Sequence, residues 1–99
     1  MAPHLYSLAE RLRVGDNVQW KGTASDVGRQ RPKKVTRIEH GDGSIKVFGV
    51  GPDDGRYWFE VSELGDSKAV FVDPEKGEEP KGEVEIARLV WPGEGYISV

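Results

Sequence analysis

Apolar and polar residues alternate in short bursts along this chain, and turn-forming residues separate the bursts. The clearest burst is Arg56 to Val61. Tyr57, Phe59 and Val61 fall on one side of it, Trp58 and Glu60 on the other. A period of two marks a half-buried strand. Val18 and Trp20 alternate with Gln19 in the same way, behind a Val14-Gly15-Asp16-Asn17 turn. Gly15 can take the positive φ that a sharp strand entry needs. Lys33 to Glu39 reads as a second strand. Val35 and Ile38 within it differ in parity, which predicts a bend or bulge between them. His40-Gly41-Asp42-Gly43 is a hairpin signal. Ile45, Val47 and Gly49 then alternate with Lys46, Phe48 and Val50 in a third strand, and Gly51 to Gly55 turns the chain into the fourth, Arg56 to Val61. Ser62 to Lys68 is a connection and Ala69 to Asp73 a fifth strand. Pro74 to Gly82 reads as a charged acidic loop. Glu83 to Trp91 is a sixth strand, and Tyr96 to Val99 a last short one.

Before the first strand, Leu5, Leu8 and Leu12 recur at helical spacing, and Ser7 and Glu10 have the spacing of a capping box. A short helix that plugs one end of the strands is expected. The alternative is an unstructured leader up to Ser7.

Six or seven short strands with a turn about every ten residues predict an all-β fold. The expected architecture is a partly open small barrel of five to seven antiparallel strands, with a short N-terminal helix and an added C-terminal hairpin. At 99 residues there is room for one core. Residues 1–99 are therefore taken as one domain: leader and helix over 1–13, barrel over 14–61, additional strands over 62–99.

The Val14-Gly15-Asp16-x-Val18-x-Trp20 stretch, Gly28, Val35-x-x-Ile38, Gly41, Val47 and Tyr57-x-x-x-Val61 resemble the SH3-like small barrels, the KOW and Tudor-like members in particular. The resemblance covers about Leu12 to Val61. Two features depart from a KOW motif. The loop after the first strand is longer, and Lys33-Lys34 stand where a glycine would precede Val35. The resemblance implies a module that binds nucleic acid or a protein.

Charge adds a second signal. The net charge is −3, yet residues 1–40 hold eight Lys and Arg against four acids, so the remainder is strongly acidic. Arg29, Arg31, Lys33, Lys34 and Arg37 fall within nine residues with no acid among them. Such a loop can neutralise phosphates; the alternative is a solvated stretch that keeps a strand edge soluble. Trp58, and by the same parity Phe48, face away from the expected core. With Trp20 at the end of the first strand they form a candidate stacking platform or aromatic pocket. The alternatives are that C-terminal strands cover the outer pair, with Leu89 and Trp91 as covers, and that Trp20 is core.

Other chemistries find little support. The absence of cysteine excludes a disulfide framework, a thiolate zinc site and a cysteine nucleophile, and fits a reducing compartment. His4 and His40 are far apart, the serines lie in no nucleophile motif, and Asp53-Asp54 belongs to a tight turn. No apolar run approaches the ~20 residues of a membrane span, and no secretory leader is visible. The expectation is a cytoplasmic, non-enzymatic nucleic-acid-binding barrel without cofactor, metal, membrane or small-molecule substrate. RNA or single strands are the favoured ligands. A Tudor-like protein-interaction module or a structural subunit of a larger complex is the alternative.

Overall fold

A computed structural model describes residues 3–24, 32–52, 54–91 and 95–98, with the side chains of 5–24, 32–52 and 54–86. One antiparallel sheet of eight strands follows a short helix. The helix is α1 (Pro3–Arg11), and the strands are β1 (Asn17–Gly22), β2 (Pro32–Gly41), β3 (Ser44–Val50), β4 (Arg56–Ser62), β5 (Ser67–Asp73), β6 (Gly77–Pro80), β7 (Val84–Trp91) and β8 (Gly95–Ser98). Their order across the sheet is β6-β5-β4-β3-β2-β1-β7-β8. The all-β class, the N-terminal helix and the C-terminal hairpin of β7 and β8 agree with the reading of the sequence.

The sheet curls into a partly open barrel. The chain leaving β6 stays beside β5: the Lys81 amide donates to the Ala69 carbonyl at 2.8 Å, and the Ala69 amide donates to the Gly82 carbonyl at 2.8 Å. The Val84 amide then donates to Ser67 Oγ at 3.1 Å, after which β7 pairs along β1. One bent run from Gly77 to Trp91 thus bridges the β5 side of the sheet to β1.

The Gly15-Asp16 turn is clamped onto β2. The Gly15 amide donates to the Val35 carbonyl and the Val35 amide donates back to the Asp16 carbonyl, each at 2.8 Å. The buried Asp16 carboxylate accepts the Arg13 amide at 2.8 Å. Gly15 has φ 101°, the left-handed conformation its position called for. The predicted irregularity in β2 is present as a register shift between Val35 and Arg37.

Inward residues build the core: Val18 and Trp20 from β1, Val35 from β2, Ile45 and Val47 from β3, Phe59 and Val61 from β4, Ala69 from β5 and Val84 from β7. Trp20 meets Phe59 edge to face, with centroids 4.9 Å apart. Helix α1 packs on β3 and β4, and its Ala9 joins the core with Leu12 just beyond the helix. It begins before Ser7, so the Ser7–Glu10 pair is no capping box; Pro3 sits in the first turn, where a missing amide is harmless.

One element departs from the sequence reading. Gly77 to Pro80, placed in an acidic loop, is a strand paired with β5. Asp73 holds the turn that makes this possible, its Oδ1 accepting the Glu75 amide at 2.8 Å and the Lys76 amide at 2.9 Å. Those two bonds lower the Asp73 pKa below its ordinary value.

Candidate nucleic-acid interface

Strand pairing sorts the side chains on the outer face of β2 to β6 into three rows. The first row reads Glu39, Lys46, Glu60, Lys68 and alternates in charge. The middle row reads Arg37, Phe48, Trp58, Val70, Pro80. The third reads Lys34, Val50, Arg56, Val72, Glu78. An aromatic and apolar stripe therefore runs between two rows that carry most of the charge, with Arg37 at its β2 end.

Cations lie against both outer aromatics. Lys46 Nζ is 4.0 Å from the Trp58 centroid and Lys68 Nζ is 5.4 Å from it. Phe48 has the Arg37 guanidinium and Lys46 Nζ each at 5.3 Å. All four separations are in the range of cation–π attraction. Arg37 also pairs with Glu39, both side chains standing in solvent. Trp58 Nε1 donates to Glu78 Oε2 at 3.0 Å. A groove of about 450 Å³ crosses this face, lined in part by Arg37, Phe48, Val50, Arg56, Trp58 and Glu78.

The eight site residues expected from sequence fare differently. Lys34 and Arg37 are exposed and reach the outer face, and Phe48 is half-buried there. Trp58 lies on that face as parity required, yet only 5% of it is accessible. Its cover comes from Glu78 on β6 and from flanking lysines; the side chains of Leu89 and Trp91 lie outside the described residues. Trp20 is core, with 1% accessible, and takes no place on the outer surface. Arg29 and Arg31 lie outside the described residues.

Lys33 is separated from Lys34 altogether. It shares parity with Val35 and points into the barrel, where 7% of it remains accessible. Its Nζ donates to the Trp20 carbonyl at 2.6 Å and stands 4.6 Å from the Tyr57 centroid and 5.1 Å from that of Trp20. Burial lowers its pKa to about 8, because the charged form loses hydration. A Cβ on Gly49 would stand 2.5 Å from Trp20 Cη2, so glycine there is what lets the Trp20 ring lie under β3.

Lys46, Arg56, Lys68 and Glu78 belong to this face and were not singled out from the sequence. Lys46 shares strand parity with Phe48 and Arg56 with Trp58, so parity alone could have found these two; Lys68 stands opposite Glu60 and needed the β4–β5 register. Glu78 depends on β6 and had no such signal.

Comparison with protein-family models, curated proteins and solved structures finds no match for this chain. Among the described residues, no helix is long and apolar enough to cross a membrane.

Proposed function

We propose that this chain is a non-enzymatic module of the SH3-like kind that binds single-stranded nucleic acid, RNA foremost, on the outer face of β2 to β5. A cysteine-free chain fits the reducing cytoplasm as its place of work. The observation that carries the reading is the stripe of Phe48 and Trp58 hemmed by Arg37, Lys46, Arg56 and Lys68. Single-strand binders combine an aromatic surface for bases with cations that follow the backbone. Phe48 supplies the stacking surface, and Lys34, Arg37 and Arg56 meet phosphates at the groove's margins.

The same cations weigh against a methylated amine as ligand. An aromatic cage attracts a cation through the negative faces of its rings. Here Lys46 and Lys68 already lie against Trp58, and Arg37 and Lys46 against Phe48, so a further cation would be repelled. An anionic ligand with flat, polarisable groups meets no such penalty.

A ¹⁵N–¹H titration with a mixed-sequence single-stranded RNA tests this reading at low and high salt. Shifts clustered on Arg37, Phe48, Arg56 and the Trp58 indole, lost on adding salt, are expected. No shifts at low salt would overturn the reading. Shifts with an acidic peptide instead would establish the protein-interaction alternative.

A further inference from the structure

The groove is chemically lopsided. Arg37 and Arg56 give it cationic donors, and Phe48, Val50, Trp58 and Val72 give it an apolar floor. Glu78 is the one carboxylate among its described lining residues. An all-phosphate ligand would have no use for that group, and a plain apolar ligand would strand it.

We infer that Glu78 reads the base of a bound nucleotide and favours guanine; this rests on the nucleic-acid reading above. Glu78 Oε2 accepts the Trp58 indole N–H at 3.0 Å, which fixes the carboxylate beside the aromatic stripe. A carboxylate has about four acceptor sites, so one indole leaves most of its capacity for a ligand. Guanine carries two adjacent donors, N1–H and N2–H, that match the two oxygens of a carboxylate. Adenine and cytosine offer an amino donor beside a ring-nitrogen acceptor, and the acceptor faces the carboxylate unfavourably. Uracil offers N3–H flanked by two carbonyls, which repel it on both sides. The negative charge also turns phosphates away from the β6 end of the groove and toward Arg37 on β2, with Arg56 on β4 between them. Base and backbone are thereby drawn toward different strands of the face.

The test uses four seven-residue RNAs, UUUGUUU, UUUAUUU, UUUCUUU and UUUUUUU, bound to the whole chain at low salt and followed by fluorescence anisotropy. Wild type is expected to bind the guanine oligomer about tenfold more tightly than the all-uracil one, the discrimination of a good bidentate pair. In Glu78→Gln the amide oxygen can still accept the indole, but one of the two acceptor oxygens is lost. That preference should collapse to within about twofold, with affinity for the all-uracil RNA unchanged or raised. Equal binding of all four by wild type overturns the role of Glu78 and leaves the nucleic-acid reading standing. A guanine preference that survives in Glu78→Gln also overturns it. Failure of all four to bind overturns the nucleic-acid reading itself, and this inference with it. Thermal unfolding of the variant, compared with wild type, confirms that β6 remains in place.

Discussion

Replacing Lys33 by methionine tests whether a charged amine is held inside the barrel. Lys33 stands between Trp20 and Tyr57 with its pKa lowered from 10.5 to about 8 by loss of hydration. Between those values the unfolded chain binds a proton at this site that the native state has released. Stability must then rise with pH across that window. Below about pH 8 both states are protonated, and the full cost of burying the charge is present. At about 1.4 kcal/mol for each factor of ten in proton affinity, the gap amounts to about 3 kcal/mol. Residual solvent around the amine reduces this to about 2 kcal/mol. Of that, about 1 kcal/mol is regained between pH 8 and 9.5. Tyr6 opposes the trend at higher pH. Its phenol is pushed up from 10.0 by desolvation first and then by Glu63 and Glu10, so the native state holds that proton longer. The assay therefore stops at pH 9.5. Urea unfolding followed by tryptophan emission, at pH 7.5, 8.5 and 9.5, should give a rising free energy for wild type and a flatter profile for Lys33→Met. The slope is the readout rather than the value at any one pH. Methionine removes the charge but also leaves the Trp20 carbonyl without its donor, at about 1–3 kcal/mol, so the net change near neutrality is small. Parallel profiles in the two proteins would refute a titrating Lys33 inside the barrel.

Three further perturbations probe other parts of the structure. Gly49→Ala places a methyl against the buried Trp20 ring and should cost about 2 kcal/mol, lowering the midpoint by about 10 °C in a thermal melt. Lys34→Gln combined with Arg37→Gln should weaken RNA binding and reduce the slope of log affinity on log salt by about 1.4, at ~0.7 per phosphate contact, with thermal stability unchanged. Trp58→Phe removes the indole donor to Glu78 and should destabilise the chain by about 1–2 kcal/mol in urea unfolding.

Most strands were legible because their alternation coincides with the face that the barrel buries. Tyr57, Phe59 and Val61 against Trp58 and Glu60 is the clearest case, and the parity break between Val35 and Ile38 located the bulge of β2. Lys33 was misplaced for a physical reason. A cluster of charges suggests solvent, whereas strand parity with Val35 sends this residue inward, and a long aliphatic stem with two aromatic neighbours makes that tolerable. Parity carried the better information. Strand β6 had no comparable signal. Gly-Glu-Glu-Pro contains no β-favouring residue, and its extended form comes from pairing with β5 and from the Asp73 turn. The cover over Trp58 was hidden for the same reason, since Glu78 reaches it only through that pairing.

The acidic net charge of the chain bears on the candidate interface less than it first implies. A charge acts at a distance set by screening, about 10 Å at 0.1 M salt. The molecule extends 32 × 31 × 24 Å, so a charge on the side away from the groove lies beyond that reach. What a ligand meets is local. On the outer face of β2 to β6 the described side chains include five cations, Lys34, Arg37, Lys46, Arg56 and Lys68, against Glu39, Glu60 and Glu78. Glu39 and Glu60 sit in the row that alternates with lysine and do not line the groove, although Glu39 pairs with Arg37 at its edge, and Glu78 is engaged by Trp58. The groove lining is therefore basic at Arg37 and Arg56, beside half-buried Phe48, and acidic at Glu78. A uniformly basic surface would hold any polyanion in any register. On the proposed reading, Arg37 at the β2 end would meet phosphate and Glu78 on β6 a donor-bearing base, while the acidic remainder of the chain would disfavour binding elsewhere on the surface. Weak non-specific affinity is then the expected counterpart of selective binding in the groove.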